Sequence, residues 1–204
     1  MAFSSGLGAA VGLCLAPVSN NDAPPSRTRD AQQFKSQRGW PNGWWLNCTD
    51  GLNGVEATVD NQETHEGNAT THLVSSREAD FSKNDVPKLT KVMDASNYRG
   101  SRLRMNGWIK TKAEVSAHFW IRVDGDWQDY TSELFDNMHN RPIAGTTDWT
   151  NYSLVVEVPE TSTQIVYGLF LYGPGELWLG GVSFEAVDKS VSITGTPQSD
   201  YFGN

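Results

Sequence analysis

Between Arg122 and Trp149 the chain carries Arg122, Asp124, Asp136, Asn137, His139, Arg141 and Asp148, a dense set of charges for a β-rich stretch. Two chemistries fit these residues. In one, opposite charges pair to pin loops, with Asp124-Gly125 and Gly145 serving turns. In the other, Asp136 or His139 stands at the mouth of an aromatic surface as proton donor or acceptor. A carboxyl group walled by Trp and Phe rises in pKa, because desolvation disfavours its charged form. Such an acid would protonate an olefin or a leaving hydroxyl and start a cyclisation. Arg122 or Arg141 would then steady developing negative charge.

Other chemistries lack their residues. No Gly-x-Ser-x-Gly nucleophile turn and no His-Glu-x-x-His zinc motif occur, and Cys14 and Cys48 are far apart. Phosphate loops and dinucleotide fingerprints are absent, and the four scattered His do not group as a metal site. A glycosidase would need two facing carboxylates, roughly 5 Å or roughly 6.5–9.5 Å apart. Asp124, Asp136 and Asp148 would have to supply them.

The elements that position these groups read as strands. Ser101–Lys110 alternates, with Leu103, Met105 and Ile109 on one side and Arg104, Asn106, Trp108 and Lys110 on the other. Ala117–Val123 repeats the pattern, with Phe119, Ile121 and Val123 inward and His118, Trp120 and Arg122 outward. A linker of about six residues between them predicts a hairpin. Period-two geometry would then gather Asn106, Trp108, His118, Trp120 and Arg122 on one face. Trp45, Phe135, Asn137 and Arg141 complete the expected substrate contacts. Two outward Trp on neighbouring strands otherwise expose a costly apolar patch, which favours a ligand there. Further strands are expected at Tyr152–Val158, Ile165–Tyr172 and Leu177–Val187. The second of these is apolar on both faces, the mark of a central, doubly covered strand. Regular turn signals and no room for crossover helices give an all-β, two-sheet antiparallel sandwich.

Composition bounds the rest. The organisation expected over 204 residues is a leader or arm plus linker over 1–38, one domain over 39–190 and a tail over 191–204. A chain of this length folds without disulfide or metal. Its net charge of -8 and the absence of a Lys/Arg run argue against nucleic acid as a partner. Eight Trp exceed what a core of this size needs, leaving some for a ligand. The apolar run Gly6–Pro17 resembles the centre of a secretory leader and is too short to span a membrane. With the sequons at Asn47, Asn68 and Asn151 it leads to an expected secreted or lumenal glycoprotein, with a cytoplasmic location as the alternative. A homodimer is compatible with all of this.

The segment DWTNYSLVVEVPETSTQIVYGLFLYGPGELWLGGVSFE, Asp148 to Glu185, resembles the end of carbohydrate-binding modules with a galactose-binding-type jelly roll. A closer likeness runs from Gly43 onward through GWWLN, HEGNATTHLVSS, YRGSRLRMNGWIKT, FWIRVDG and FDNMHNRPIAGTTDW. These pieces resemble an uncharacterised bacterial group associated with arabinose-type transcriptional regulators. No helix-turn-helix segment is present in the sequence, so the regulator role is not carried over. The resemblance implies a jelly roll and a structural calcium ion held by loop carbonyls and an Asp. Relatives carry Asp in the final strand where this chain has Gly180-Gly181, which removes that carboxylate. Two functions follow. One is a cofactor-independent, pericyclase-like cyclase or isomerase of natural-product biosynthesis, with Asp136, His139 and Arg122 as its catalytic set; other jelly rolls of this kind run such reactions. The alternative is a non-catalytic carbohydrate-binding module that stacks sugars on Trp108 and Trp120.

Overall fold

Alternation with a period of two runs through every long strand, and it sorts side chains between a dry interior and two outer faces. The computed structural model describes residues 43–47, 54–76, 88–112, 116–126 and 133–195. Its strands are β1 (Trp44–Asn47), β2 (Val55–His65), β3 (Asn68–Ser75), β4 (Lys88–Asp94), β5 (Ser101–Lys112) and β6 (Ser116–Asp124). They continue as β7 (Phe135–Asp136), β8 (Ile143–Ala144), β9 (Thr147–Val158), β10 (Gln164–Tyr172) and β11 (Gly175–Val187). All pairings are antiparallel. One sheet has six strands in the order β1-β4-β10-β6-β7, with β8 also paired to β6; the other has five, in the order β2-β3-β11-β5-β9.

The expected sandwich is therefore present, and β10 sits centrally in the six-stranded sheet as its two-sided apolar pattern requires. Leu103, Met105 and Ile109 of β5, Phe119 and Ile121 of β6, and Ile165, Leu169 and Leu171 of β10 are fully buried between the sheets. The β2–β3 hairpin turns on Glu66 and Gly67, both with positive φ (51° and 77°). Two such residues build the tight turn whose twist matches the flanking strands.

One expectation fails. β5 and β6 do not pair as a hairpin; β5 lies in the five-stranded sheet and β6 in the six-stranded one. The chain crosses the sandwich between residues 112 and 116. Alternation cannot distinguish these cases, because both leave Leu103–Ile109 and Phe119–Val123 facing one core. Burial of β10 decides it. β10 needs a neighbour on each edge, and β6 supplies one, with Gly168 opposite Trp120.

Residues 191–195, expected in a tail, are tied to the domain: the Thr194 amide donates to the Val155 carbonyl at 3.0 Å. The expected arm over 1–38, residues 196–204, Cys14 and Cys48 lie outside the described residues. Among the described residues, no helix is long and apolar enough to cross a membrane.

Face-to-face packing of β5 on β6 is tightest at Gly107, where a Cβ would stand 2.7 Å from the Phe119 ring. Phe119 is wholly buried, so Gly107→Ala should cost about 1–3 kcal/mol in urea unfolding. Phe119→Leu in the same chain should recover part of it. Wild-type stability of Gly107→Ala would show that the two strands do not meet here.

Candidate functional site

Because β5 and β6 occupy different sheets, the residues expected on one face are divided. Asn106 and Trp108 point outward from the five-stranded sheet, and His118, Trp120 and Arg122 point outward from the six-stranded sheet on the opposite side. No single ligand can stack on both Trp108 and Trp120.

The outer face of the six-stranded sheet is apolar where a solvated face would be polar. Trp120, Val166 and Phe170 form a second buried cluster, with Val92 and Phe135 packed against it. The register sets Trp45, Thr90, Gly168 and Trp120 in one row across β1, β4, β10 and β6. Thr90 and Gly168, between the two indoles, are buried, and a Cβ at Gly168 would run into the Leu89 carbonyl. One row over, His118 stacks on Phe170 with centroids 4.7 Å apart, and Tyr172 stands edge-on to both. Tyr172 is 42% exposed and Trp45 half-buried, so these two rings form an accessible rim over a buried floor. By strand geometry they lie about 10 Å apart across the sheet and about 13 Å along it.

Polar groups line this face unevenly. Among the described residues the buried Trp120 Nε1 has no hydrogen-bond partner, a rare and costly state for a donor. His118 Nδ1 donates to the Asn137 carbonyl at 2.9 Å, which leaves Nε2 as acceptor 3.3 Å from the Ser116 hydroxyl. Burial holds the imidazole below its usual pKa, against the opposing effect of the Asn137 bond. At the far end Arg122 binds Asp124 through Nε and Nη2, at 2.7 and 2.9 Å, and Gln164 donates to the same carboxylate.

The five-stranded sheet's outer face is different in kind. Trp108 is 38% exposed, yet one side of its ring is covered by His65 at 4.8 Å, which also meets Trp149. Asn106 accepts from the Ser153 hydroxyl. Asp60 accepts from Trp178 Nε1 at 2.9 Å and from the Gln62 and Glu63 amides, and these bonds, led by that to Trp178, depress its pKa. His72 stacks on Trp178 and binds Glu176, which also holds Lys112. The groups on this face satisfy one another.

Asp136 is not the acid expected at the aromatic mouth. It pairs with Ile121, so its side chain lies on the inner side of β7, 1% exposed. There it binds Arg141 and Thr194 and accepts from the Met138 amide at 2.9 Å. With the Met138 amide, the Arg141 guanidinium and the Thr194 hydroxyl all donating to it, the Asp136 carboxyl group is a clasp for the 137–141 loop and the 191–195 segment. Its neighbour Phe135 faces the aromatic surface, as expected. His139 is exposed in the loop, and the Asn137 side chain caps the His139 amide. The structure thus brings together Trp45, His118, Trp120, Arg122 and Phe135, and sets Asp136 and Arg141 apart as a structural pair.

Sequence reasoning missed Thr90, Val92, Val166, Gly168, Phe170 and Tyr172 as parts of this face. The signal was the two-sided apolar pattern of Ile165–Tyr172, whose outer half had to be covered by something. Among the described residues no group of three His, Cys, Asp or Glu converges on one point, and Gly180-Gly181 offers no carboxylate.

No family model matches the chain. It is 39% identical over 153 residues to the uncharacterized HTH-type transcriptional regulator YbfP of Bacillus subtilis (strain 168), covering 74% of this chain and 50% of that protein. The chain thus spans half the length of the curated relative it matches. Among solved structures it is similar to the enzymatically active domain of bacteriophage CBA120 tailspike protein 4 (TM-score 0.51, 16% identity, 72% of this chain and 20% of that one). A CBM22-1–GH10 fragment of Clostridium thermocellum xylanase 10B, complexed with xylohexaose, gives a TM-score of 0.51 at 13% identity, over 74% and 27% of the two chains. TmCBM61 with β-1,4-galactotriose gives 0.50 at 12% identity, over 72% and 90%. At these identities the likeness shows the fold, a β sandwich of the carbohydrate-binding-module kind.

Two consequences are measurable. Asp136→Asn should lower stability to urea by about 2–4 kcal/mol, as expected when one partner of a buried ion pair is lost; an unchanged midpoint would deny Asp136 its clasping role. For His118, a folded pKa below the unfolded value near 6.5 means that the unfolded chain takes up the proton first. Stability should fall as pH drops through that value, and His118→Gln should flatten the decline in unfolding temperature between about pH 7.5 and 5.5.

Proposed function

We propose that the domain binds a carbohydrate chain on the outer face of the six-stranded sheet, without catalysing its cleavage or rearrangement. The observation that carries this reading is the aromatic rim of Trp45 and Tyr172 over a floor holding a buried Trp120 N–H with no partner among the described residues. Sugars present flat C–H faces, which rings cover, and hydroxyl edges, which satisfy such a donor. The rim spacing exceeds one sugar ring, which favours an oligosaccharide. Xylohexaose and galactotriose in the neighbours named above make β-1,4-linked xylan and galactan the first candidates. The expected extracellular location belongs to this proposal, since a polysaccharide binder meets its ligand outside the cell.

A cyclase reading loses Asp136 as its acid, because that residue is turned inward and paired. It keeps Arg122, the exposed His139 and the aromatic surface, which the sugar reading uses as well.

Affinity electrophoresis against xylan, galactan and β-glucan provides the test. Retardation by at least one polymer should weaken about tenfold or more in Trp45→Ala and in Tyr172→Ala, each removing a stacking ring. It should persist in Trp108→Ala. Loss of binding in Trp108→Ala alone would move the site to the other sheet. No retardation by any polymer or soluble oligosaccharide would reject the function.

A further inference from the structure

Between the sheets, at the edge formed by β1 and β4 on one side and β3 and β11 on the other, lies a cleft of about 360 Å³. It is separate from the outer face, and its lining includes no Asp or Glu. Lys91 lines it half-buried, with its ammonium 5.7 Å from the centroid of the Trp44 ring. No carboxylate among the described residues pairs with that ammonium. Tyr167, 5% exposed, also lines the cleft. Its ring packs on Trp44 and Phe184, but its hydroxyl has no hydrogen-bond partner among the described residues. Burial raises the Tyr167 pKa to about 12, so the group stays a donor at any ordinary pH. At the cleft's far wall β11 shifts register between Leu179 and Gly181, which leaves Gly180 outside the ladder with β5. Such a bulge removes a rung of pairing there.

A cation in a half-dry cleft without a counter-charge among the described residues is costly, and the Tyr167 hydroxyl offers the same cleft a donor that no described residue takes up. One ligand serves both. We propose that this cleft is a second ligand site for a monosaccharide-sized carboxylate, such as a sugar acid. Its carboxylate would meet Lys91, its hydroxyls Tyr167 and Thr71, and its apolar face Trp44. The size fits, since small-molecule sites begin at about 300 Å³. A single Lys among neutral hydroxyls suits one negative charge, whereas phosphate recognition usually recruits more donors or an Arg fork. The chain's net charge of -8 opposes an anion in the cleft only weakly, because salt screens charges more than about 8 Å away.

Isothermal titration with D-glucuronate, D-glucose and inorganic phosphate tests the proposal. Glucuronate should bind saturably, at least tenfold more tightly than either control. Lys91→Gln should weaken it tenfold or more and Tyr167→Phe several-fold, while Lys91→Arg retains binding. None of the three variants should unfold below the wild-type temperature, and all should keep retardation by polysaccharide. Trp45→Ala and Tyr172→Ala should leave glucuronate binding unchanged, so this site and the sheet-face site fail or stand separately. Absence of saturable binding, indifference to Lys91→Gln, or equal affinity for phosphate would each overturn the proposal.

Discussion

Everything in this molecule is arranged around β10, a strand that must be dry on both sides. Its inward residues Ile165, Leu169 and Leu171 fill the core, and its outward residues Val166 and Phe170 sit in a second apolar cluster. A strand with no solvated face cannot lie at a sheet edge, so β4 and β6 flank it. That requirement draws β6 away from β5, sends the chain across the sandwich between them, and places Trp108 and Trp120 back to back. The aromatic surface and the inter-sheet cleft are consequences of the same strand. Phe170 and Tyr172 look out from one side, and Tyr167 looks into the other.

Much of this was legible in the residues. Alternation in Ser101–Lys110 and Ala117–Val123 correctly separated inward from outward side chains, and the apolar run Ile165–Tyr172 correctly marked a central strand. What alternation lacks is any statement of which sheet a strand joins. In a two-sheet sandwich, a strand and its hairpin partner bury the same residues as a strand and its counterpart across the core. A short connection serves a hairpin or a corner equally well. The expected site therefore united two faces that the fold separates, and of its members Trp45, His118, Trp120, Arg122 and Phe135 lie on one outer face.

Asp136 illustrates a second limit. Its sequence neighbours, Phe135 and Asn137, suggested a carboxyl group walled by aromatics. Yet in a strand adjacent residues face opposite ways, and placing Phe135 outward turns Asp136 inward. Its partners Arg141 and Thr194 lie 5 and 58 residues away, and only folding reveals the second of them. The charged stretch from Arg122 to Asp148 divides accordingly, with Arg122 and Asp124 on the aromatic face and Asp136 and Arg141 behind it.

The alternation of β10 also governs how such a protein can diversify. Odd-numbered positions from 165 to 171 address the interior and its cleft, and even-numbered positions from 164 to 172 address the outer face. Point substitutions can therefore retune one surface without touching the other. Inserting or deleting one residue within the strand would exchange the two sets and ruin both. Ligand preference on the two sides is free to drift independently, but the length of the strand that separates them is not.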